Sequence, residues 1–379
     1  MTILLLSFLS AYATETGTEG NAEPEVTTVQ GSFFIRNVDI NGVTIENYYL
    51  EDPLFLYQNV TYLPLTAELG EILGIEAEMD LESHTLKILK TEATRTHLTE
   101  KVLKSNLQNV SAIVAEDVAV TAYYEPEPLV LETPLTASRL ADHLAHNVAA
   151  LLADEIISIP ELMALELETE DLPVLLAGDV YYVPVRMFTE SGAFGWSVYY
   201  DEYSGIYIST DPKIEAVKYF DQEESEYNRG LTEYILSQNK WISRAGAEEL
   251  VFIFKHEADV NEIDITLLMA LARRESTFQA GIVSSGGAVG VMQIMPSTGE
   301  LFGYTYEQLL TPHYNIEMGA MYISRHLDNY GGNATTALSA YNMGSRAVSR
   351  GGYRTVFAEK VLNTHSSIES YLESGGYTE

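Results

Sequence analysis

The chain of 379 residues has no cysteine. Disulfides, thiolate zinc sites and cysteine nucleophiles are thereby excluded. Positive charge is scarce: 21 Lys and Arg stand against 55 Asp and Glu, for a net charge of -34. Strong binding to nucleic acid through a general basic surface does not fit that balance. No internal segment is apolar enough to span a membrane. The apolar start, Ile3-Leu4-Leu5-Leu6-Ser7-Phe8-Leu9, is too short to do so. Ala11-Tyr12-Ala13 follows it in the small-x-small pattern of a secretory cleavage site. No Lys or Arg precedes the run, so a buried strand stands as the alternative. Thr14 to Val26 is polar and acidic and carries Pro24, the composition of a linker. Residues 1–30 are expected to be a signal peptide and acidic linker, and the remainder to be secreted or cell-wall associated.

What the chain has is length enough for two or three domains. Its composition, 46% hydrophobic and 20% charged, is that of a globular protein. Residues 31–90 read as β-rich, with short runs at Phe33-Phe34-Ile35, Val38-Asp39-Ile40 and Val43-Thr44-Ile45. Asn41-Gly42 between the last two predicts a hairpin. Tyr62-Leu63-Pro64-Leu65 then precedes a helix to Leu73, stopped by Gly74, and a strand around Thr85-Leu86-Lys87-Ile88. The pattern returns at Tyr182-Val183-Pro184-Val185, with a helix carrying Phe188 and Glu190, then Gly195-Trp196 and two strands. Tyr62 pairs with Tyr182, Pro64 with Pro184, Gly74 with Gly195 and Asp80 with Asp201, an internal duplication of a strand-helix-strand unit.

The doubled unit, residues 31–90 and 173–212, resembles the N-terminal-like domain named after copper amine oxidases, common in secreted proteins of Gram-positive bacteria. Copper is not expected, because the repeats hold one histidine, His84, and no clustered ligand set. Tyr199, Tyr200, Tyr203 and Tyr207 could stack on sugars, though packing is the favoured role of strand tyrosines. Residues 91–172 fit neither repeat and read as a partly helical insertion. Leu140, Leu144 and Val148 to Leu152 suggest an amphipathic helix, and Pro160 and Pro173 mark breaks. His143 and His146 fall three apart without a third ligand, which favours a solvated helix face over a metal site. Tyr123-Tyr124-Glu125-Pro126-Glu127-Pro128 reads as an extended loop.

From about residue 213 the spacing turns helical, as in Tyr234-Ile235-Leu236 and Ala247 to Ile253. This part also escapes the general acidity. From Ala270 to Val356 six arginines slightly outnumber five acidic residues. A near-neutral face suits an anionic polymer better than an acidic one would. In the helix expected from Asp264 to Glu275, residues Ile263, Leu267, Leu268, Leu271 and Ala272 share one face. Glu275 falls within that face and Arg273 nearly opposite. A carboxylate ending an apolar stripe loses hydration, which raises its pKa and keeps it protonated near neutrality. A buried Glu paired with an arginine such as Arg274 is an equal reading on this helix alone.

The flanking segments tilt that balance. Ser284-Ser285-Gly286-Gly287-Ala288-Val289-Gly290 has three glycines and permits close backbone approach to a ligand. Met292 and Gln293 follow, and Pro296 is placed to start the next helix. Gln293 could hydrogen-bond an N-acetyl group or hold Glu275. Ala337 to Tyr341 reads as a buried helix ending near Gly344, and Tyr341 could set its hydroxyl beside the acid. Hydrolytic glycosidases ordinarily need two carboxylates. The candidates here, Glu300, Glu307, Glu317 and Asp328, lie in no motif, so a single-acid mechanism is the simpler reading.

Together these segments resemble the soluble lytic transglycosylase domain, related to goose-type lysozyme. The resemblance rests on Glu275-Ser276-x-Phe278, Ser284, Gly287-Ala288-x-Gly290-x-Met292-Gln293-Ile294-Met295-Pro296, Asn315-Ile316-x-x-Gly319 and Ala340-Tyr341-Asn342-x-Gly344. It covers roughly 225–362. Gln279-Ala280 departs from the usual Asn-Pro at a turn, and Val291 replaces the usual Leu. The resemblance implies cleavage of the β-1,4 bond between N-acetylmuramic acid and N-acetylglucosamine, with a 1,6-anhydro product. Glu275 would be the sole acid and base. Ser284, Met292, Gln293, Tyr341 and Asn342 would contact substrate, Asn342 chiefly holding the loop. Neither metal nor cofactor is implied.

The expected protein is thus a multidomain α+β chain. A duplicated strand-helix-strand domain with a helical insertion precedes a mainly α, lysozyme-like domain at 213–379. Its expected partner is the glycan strand of peptidoglycan, with no nucleic acid and no membrane span after signal removal. A hydrolytic muramidase and a non-catalytic wall-binding protein are the competing readings. A second carboxylate across the cleft would favour the first of these.

Overall fold

A computed structural model describes residues 27–33, 36–47, 50–96, 109–115, 118–124, 163–167, 172–189 and 194–377. Residues 1–26 of the expected signal peptide and linker, the helix with His143 and His146, and Pro160 lie outside these residues, whereas the last residues of that expected segment, from Thr28, already belong to a strand, Thr28–Phe33. The described part is a mixed α/β structure, β-rich towards the N-terminus and helical from Gln222 onward. Among the described residues no helix is long and apolar enough to cross a membrane.

Six strands close a barrel in the order β1 (Thr28–Phe33), β4 (Phe55–Tyr57), β5 (Val60–Pro64), β12 (Val180–Pro184), β11 (Leu175–Ala177) and β8 (Asn109–Val114). At its centre β5 and β12 run antiparallel, with Val183 opposite Leu63, Tyr182 opposite Pro64 and Pro184 opposite Tyr62. The residues matched in sequence therefore meet across one ladder. Each proline ends its strand, where a missing N–H costs least. Tyr62 and Tyr182 pack with Phe55 inside the barrel, and the Tyr62 hydroxyl donates to the carbonyl of Pro173 at 3.1 Å. Gly31 makes closure possible, since a Cβ there would lie 2.3 Å from the Phe55 ring.

Two four-stranded sheets flank the barrel. One has the order β10 (Met163–Leu167), β9 (Ala119–Tyr124), β7 (Thr85–Lys90), β6 (Ile75–Asp80). The other has the order β13 (Ser197–Asp201), β14 (Gly205–Ser209), β2 (Asn37–Ile40), β3 (Val43–Ile45). The expected Asn41-Gly42 hairpin joins β2 to β3, with φ of 56° and 83° that this turn requires. Helix α1 (Ala67–Leu73) stops at Gly74, which is left-handed at φ 69°. Gly195 takes φ 68° at the matching place. Asp80 and Asp201 also match: each accepts two backbone N–H groups of the turn that follows it.

Three differences from the sequence reading stand out. Residues 91–172 contain β8, β9 and β10, which complete the barrel and one sheet, so the described part of this segment is strand rather than helix. Tyr123 and Tyr124 belong to β9 rather than to a loop. The helix expected after Pro184 is a single 3-10 turn, Val185–Phe188, lacking a side-chain cap. Its Glu190 lies outside the described residues.

Seven further stretches carry the C-terminal core. They are α2 (Gln222–Gln238), α3 (Arg244–Val260), α4 (Ile265–Glu275), α5 (Pro296–Leu301), α6 (Tyr306–Leu309), α7 (Pro312–Asn329) and α8 (Ala334–Met343). The short α9 (Ser345–Ser349) and the long α10 (Val356–Gly375) follow. Helix α4 is the axis of this core. Thr266 to Ala272 are all buried, and α3 and α10 pack around them. A helix apolar on every side is stable only when enclosed.

The strand part meets the helices through polar contacts. Arg36 pairs with Glu248 of α3 at 2.6 Å, and Glu46 meets His256 at 2.6 Å. Ser225 donates to Asp201 at 2.7 Å, and Asn228 donates to the Tyr203 carbonyl at 3.2 Å. Tyr207 packs with Tyr199 and Phe220, and Arg244 donates to the Tyr203 hydroxyl. Of the four tyrosines weighed as sugar platforms, Tyr200 alone is more than half exposed, at 52%.

Candidate active site

The site begins with the way α4 is held. Asp264 caps it, accepting from the Leu267 N–H at 3.0 Å. At the other end Glu275 is the last helical residue and is half-buried. Thr277 and Phe278 then take left-handed φ values of 57° and 58° and turn the chain sharply. Such values are strained for residues with a Cβ. Phe278 holds the turn by burying its ring completely against Tyr234 and Phe254.

The glycine-rich segment folds over this helix end. Ser284 closes a turn, its hydroxyl accepting from the Ala288 N–H at 3.0 Å. Val289 and Ile294 exchange two backbone hydrogen bonds at 2.9 Å, making a small loop between them. Gly290 takes φ 78° there, and a Cβ on it would lie 2.3 Å from the Asn315 amide nitrogen. Three side chains from separate elements then fix the Val291-Met292 segment. Ser276 donates to the Val291 carbonyl at 2.7 Å. Asn315 of α7 accepts from the Met292 N–H at 2.7 Å. Tyr341 of α8 donates to the Met292 carbonyl at 2.8 Å.

A cavity of about 410 Å³ lies against this loop, lined by Glu275, Ser284, Gln293, Tyr322, Tyr341 and Asn342, among others. Burial alone pushes the Glu275 carboxyl up to about 7. No cation pairs with it among the described residues. Arg274 is exposed, and Arg273 donates to Gln238 at 2.9 Å instead. The ion-paired alternative for Glu275 therefore fails in this structure. Burial, and then the charge of Glu275, push the Tyr341 phenol well above its usual 10. It stays a neutral hydrogen-bond donor. Glu275 is the one carboxylate among the lining residues. Glu300, Glu307 and Asp328 are exposed elsewhere, and Glu317 lies near Tyr304, outside the lining of the cavity.

Five of the six residues singled out in the sequence come together at this cavity. Met292 does not line it: the side chain is fully buried and packs on Gly319, so only its backbone serves the site. Gln293, at φ 48°, spends its amide nitrogen on the Gly290 carbonyl at 2.9 Å. Asn342 is exposed at the rim, and the loop-holding role expected of it belongs to Asn315. Sequence reasoning missed Tyr322, which lines the cavity and packs on Tyr341 with ring centroids 5.3 Å apart. It also gave Ser276 and Asn315 no role. A signal existed for Tyr322: it lies seven residues after Asn315, on the same face of a helix.

A half-buried, unpaired carboxyl that titrates near neutrality can both give and take a proton. Residues 252–361 match the Transglycosylase SLT domain family, so the C-terminal region carries an SLT transglycosylase domain. The soluble lytic murein transglycosylase of Escherichia coli (strain K12) is 37% identical over 100 residues, 24% of this chain and 16% of that protein. The transglycosylase of Enterobacteria phage PRD1 is 33% identical over 100 residues, 26% of this chain and 37% of that protein. Among solved structures, the 70 kDa soluble lytic transglycosylase of Escherichia coli matches at 26% identity and a TM-score of 0.26. That match covers 41% of this chain and 30% of the other. Lytic transglycosylase Slt of Pseudomonas aeruginosa matches at 21% identity and a TM-score of 0.28, covering 43% of this chain and 32% of the other. The chain thus spans well under half the length of the curated relatives it matches.

Proposed function

We propose that this protein is a peptidoglycan lytic transglycosylase acting on the β-1,4 bond between N-acetylmuramic acid and N-acetylglucosamine. The observation that carries this reading is Glu275: one carboxyl, unpaired, buried enough to hold a proton near pH 7, in a cavity with no second carboxylate among its lining residues. Protonated Glu275 gives its proton to the glycosidic oxygen as the bond to muramoyl C1 breaks. The resulting carboxylate then takes the proton of the muramoyl 6-hydroxyl. The freed oxygen bonds to C1 and closes the 1,6-anhydro ring. Atoms balance without water, and Glu275 ends protonated. Ser284, Gln293 and Tyr322 are at hand to orient the sugars, while Tyr341 supports the loop beside the acid.

Within the same reading, residues 213–379 form the catalytic domain. The strand-rich part before it is a duplicated unit similar to the copper-amine-oxidase N-terminal-like domain. The reciprocal pairing of Tyr62 with Pro184 and of Tyr182 with Pro64 on neighbouring strands supports the duplication. Secretion to the wall of a Gram-positive cell fits the apolar start and the expected substrate. The deciding experiment is mass spectrometry of muropeptides after digestion of purified sacculi. Products lighter by one water carry the anhydro ring and support the lyase. Ordinary reducing ends would identify a hydrolase, and an absence of products a binding protein.

A further inference from the structure

The chain from Asn329 to Ala358 has no acidic residue, although the protein as a whole carries a net charge of -34. Three arginines stand in it: Arg346, Arg350 and Arg354. All three are exposed, and none has an ion-pair partner among the described residues. Arg346 and Arg350 are four apart and face solvent, opposite the buried Val348 on which α9 rests. Both stand in the last turn of α9 or at its C-cap, where one cation suits the helix end, but a second like charge four residues away repels the first. Their position is specific. Gly344 lines the acid cavity and is the N-cap of α9, so the helix that carries Arg346 and Arg350 starts at a residue of the site.

We infer that this arginine ridge docks the carboxylates of the peptide stems carried by the glycan. The inference rests on the glycan-cleaving reading above. Muramic acid bears its peptide on a lactyl group, so free carboxylates hang beside a strand bound at Glu275. Arginine suits them because its planar fork can meet a carboxylate with two parallel hydrogen bonds. Elsewhere the strongly acidic protein would repel the same stems. The ridge therefore selects strands that keep their peptides, and it acts on capture rather than on the bond broken.

The test compares the full chain with R346E/R350E on two substrates: glycan strands bearing stems, and the same strands stripped by an amidase. On peptide-bearing strands the variant should lose about tenfold in kcat/KM, and raised salt should shrink the difference. Stripped strands should be cleaved by both proteins at one rate. Equal rates on both substrates, or equal losses on both, would overturn the docking role. The glycan-cleaving reading is judged separately, by whether the unaltered chain cleaves either substrate. Should it cleave neither, retention on immobilised peptide-bearing strands decides the docking role alone: loss in R346E/R350E supports it, unchanged retention sinks it. Retention that follows wall phosphate polymers rather than peptide stems would likewise sink it. Matching thermal midpoints exclude a folding defect.

Discussion

The hydroxyl of Tyr341 donates to the carbonyl oxygen of Met292 at 2.8 Å, while its ring lines the cavity beside Glu275. The tyrosine thus ties α8 to the loop over the acid. Tyr341→Phe keeps the ring and removes the donor. The carbonyl left behind loses its partner, which costs about 1–2 kcal/mol of stability in urea unfolding. Loosening the loop that carries Gln293 should lower kcat by about tenfold. Unchanged stability with vanished activity would mean that the hydroxyl acts on the substrate directly.

Asn315 is the deeper anchor. It is fully buried, accepts from Met292 and donates to the carbonyls of Val289 and Leu309 at 2.9 and 2.8 Å. Asn315→Ala strands all three groups and should cost about 3 kcal/mol or more. Gly290→Ala attacks the same contact from the other side, through its φ of 78° and the clash with Asn315. The double variant should lose less than the sum of the two, because the shorter residue 315 makes room for the added methyl. Strict additivity in urea unfolding would show the two positions to be independent.

Glu275 sets the pH dependence. Its carboxyl rises from 4.5 to about 7 on folding. The folded protein therefore binds this proton more tightly than the unfolded chain. That stabilising contribution is complete below about pH 4.5 and is lost as pH rises through about 7. At about 1.4 kcal/mol per pKa unit, the loss is on the order of 3 kcal/mol at most. Glu275→Gln should thus be more stable than the parent at pH 8, while glycan cleavage disappears. In the parent, kcat/KM should fall as pH rises through about 7, since the proton donor is lost. A variant with full activity would remove Glu275 from the mechanism.

These residues differ in how far the sequence exposed them. The apolar periodicity of α4 located Glu275 and the sign of its pKa shift, because one helix face is a local property. Asn41-Gly42 and Gly74 were equally legible, since backbone conformation at such positions depends on near neighbours. Strands β8, β9 and β10 were not. The strand β9 pairs in parallel with β7, and β8 pairs with β1 and β11, so their partners come from distant parts of the chain. Periodicity carries no record of such pairing. Asn315 stayed hidden for a similar reason: its three bonds reach back over a loop and a turn. Met292 misled in the opposite sense, because a residue beside a catalytic motif can serve by its backbone while its side chain fills the core.

The contact of Arg36 with Glu248 is one of the polar links that join the strand-rich part to the helices. Their side chains are only 17% and 10% exposed and meet at 2.6 Å. Burial raises the Glu248 carboxyl even though Arg36 opposes the shift. Arg36→Ala would leave that carboxylate buried without its cation and should cost about 3 kcal/mol. The cost should grow with pH, because without Arg36 the Glu248 pKa rises further and ionisation becomes the unfavourable step. Adding Glu248→Gln should recover part of the loss at pH 8 and little at pH 4, where the carboxyl is already neutral. Thermal unfolding of the three variants at both pH values measures this coupling. A loss in Arg36→Ala that is the same at both pH values would mean that the guanidinium packs at the junction without balancing the charge of Glu248.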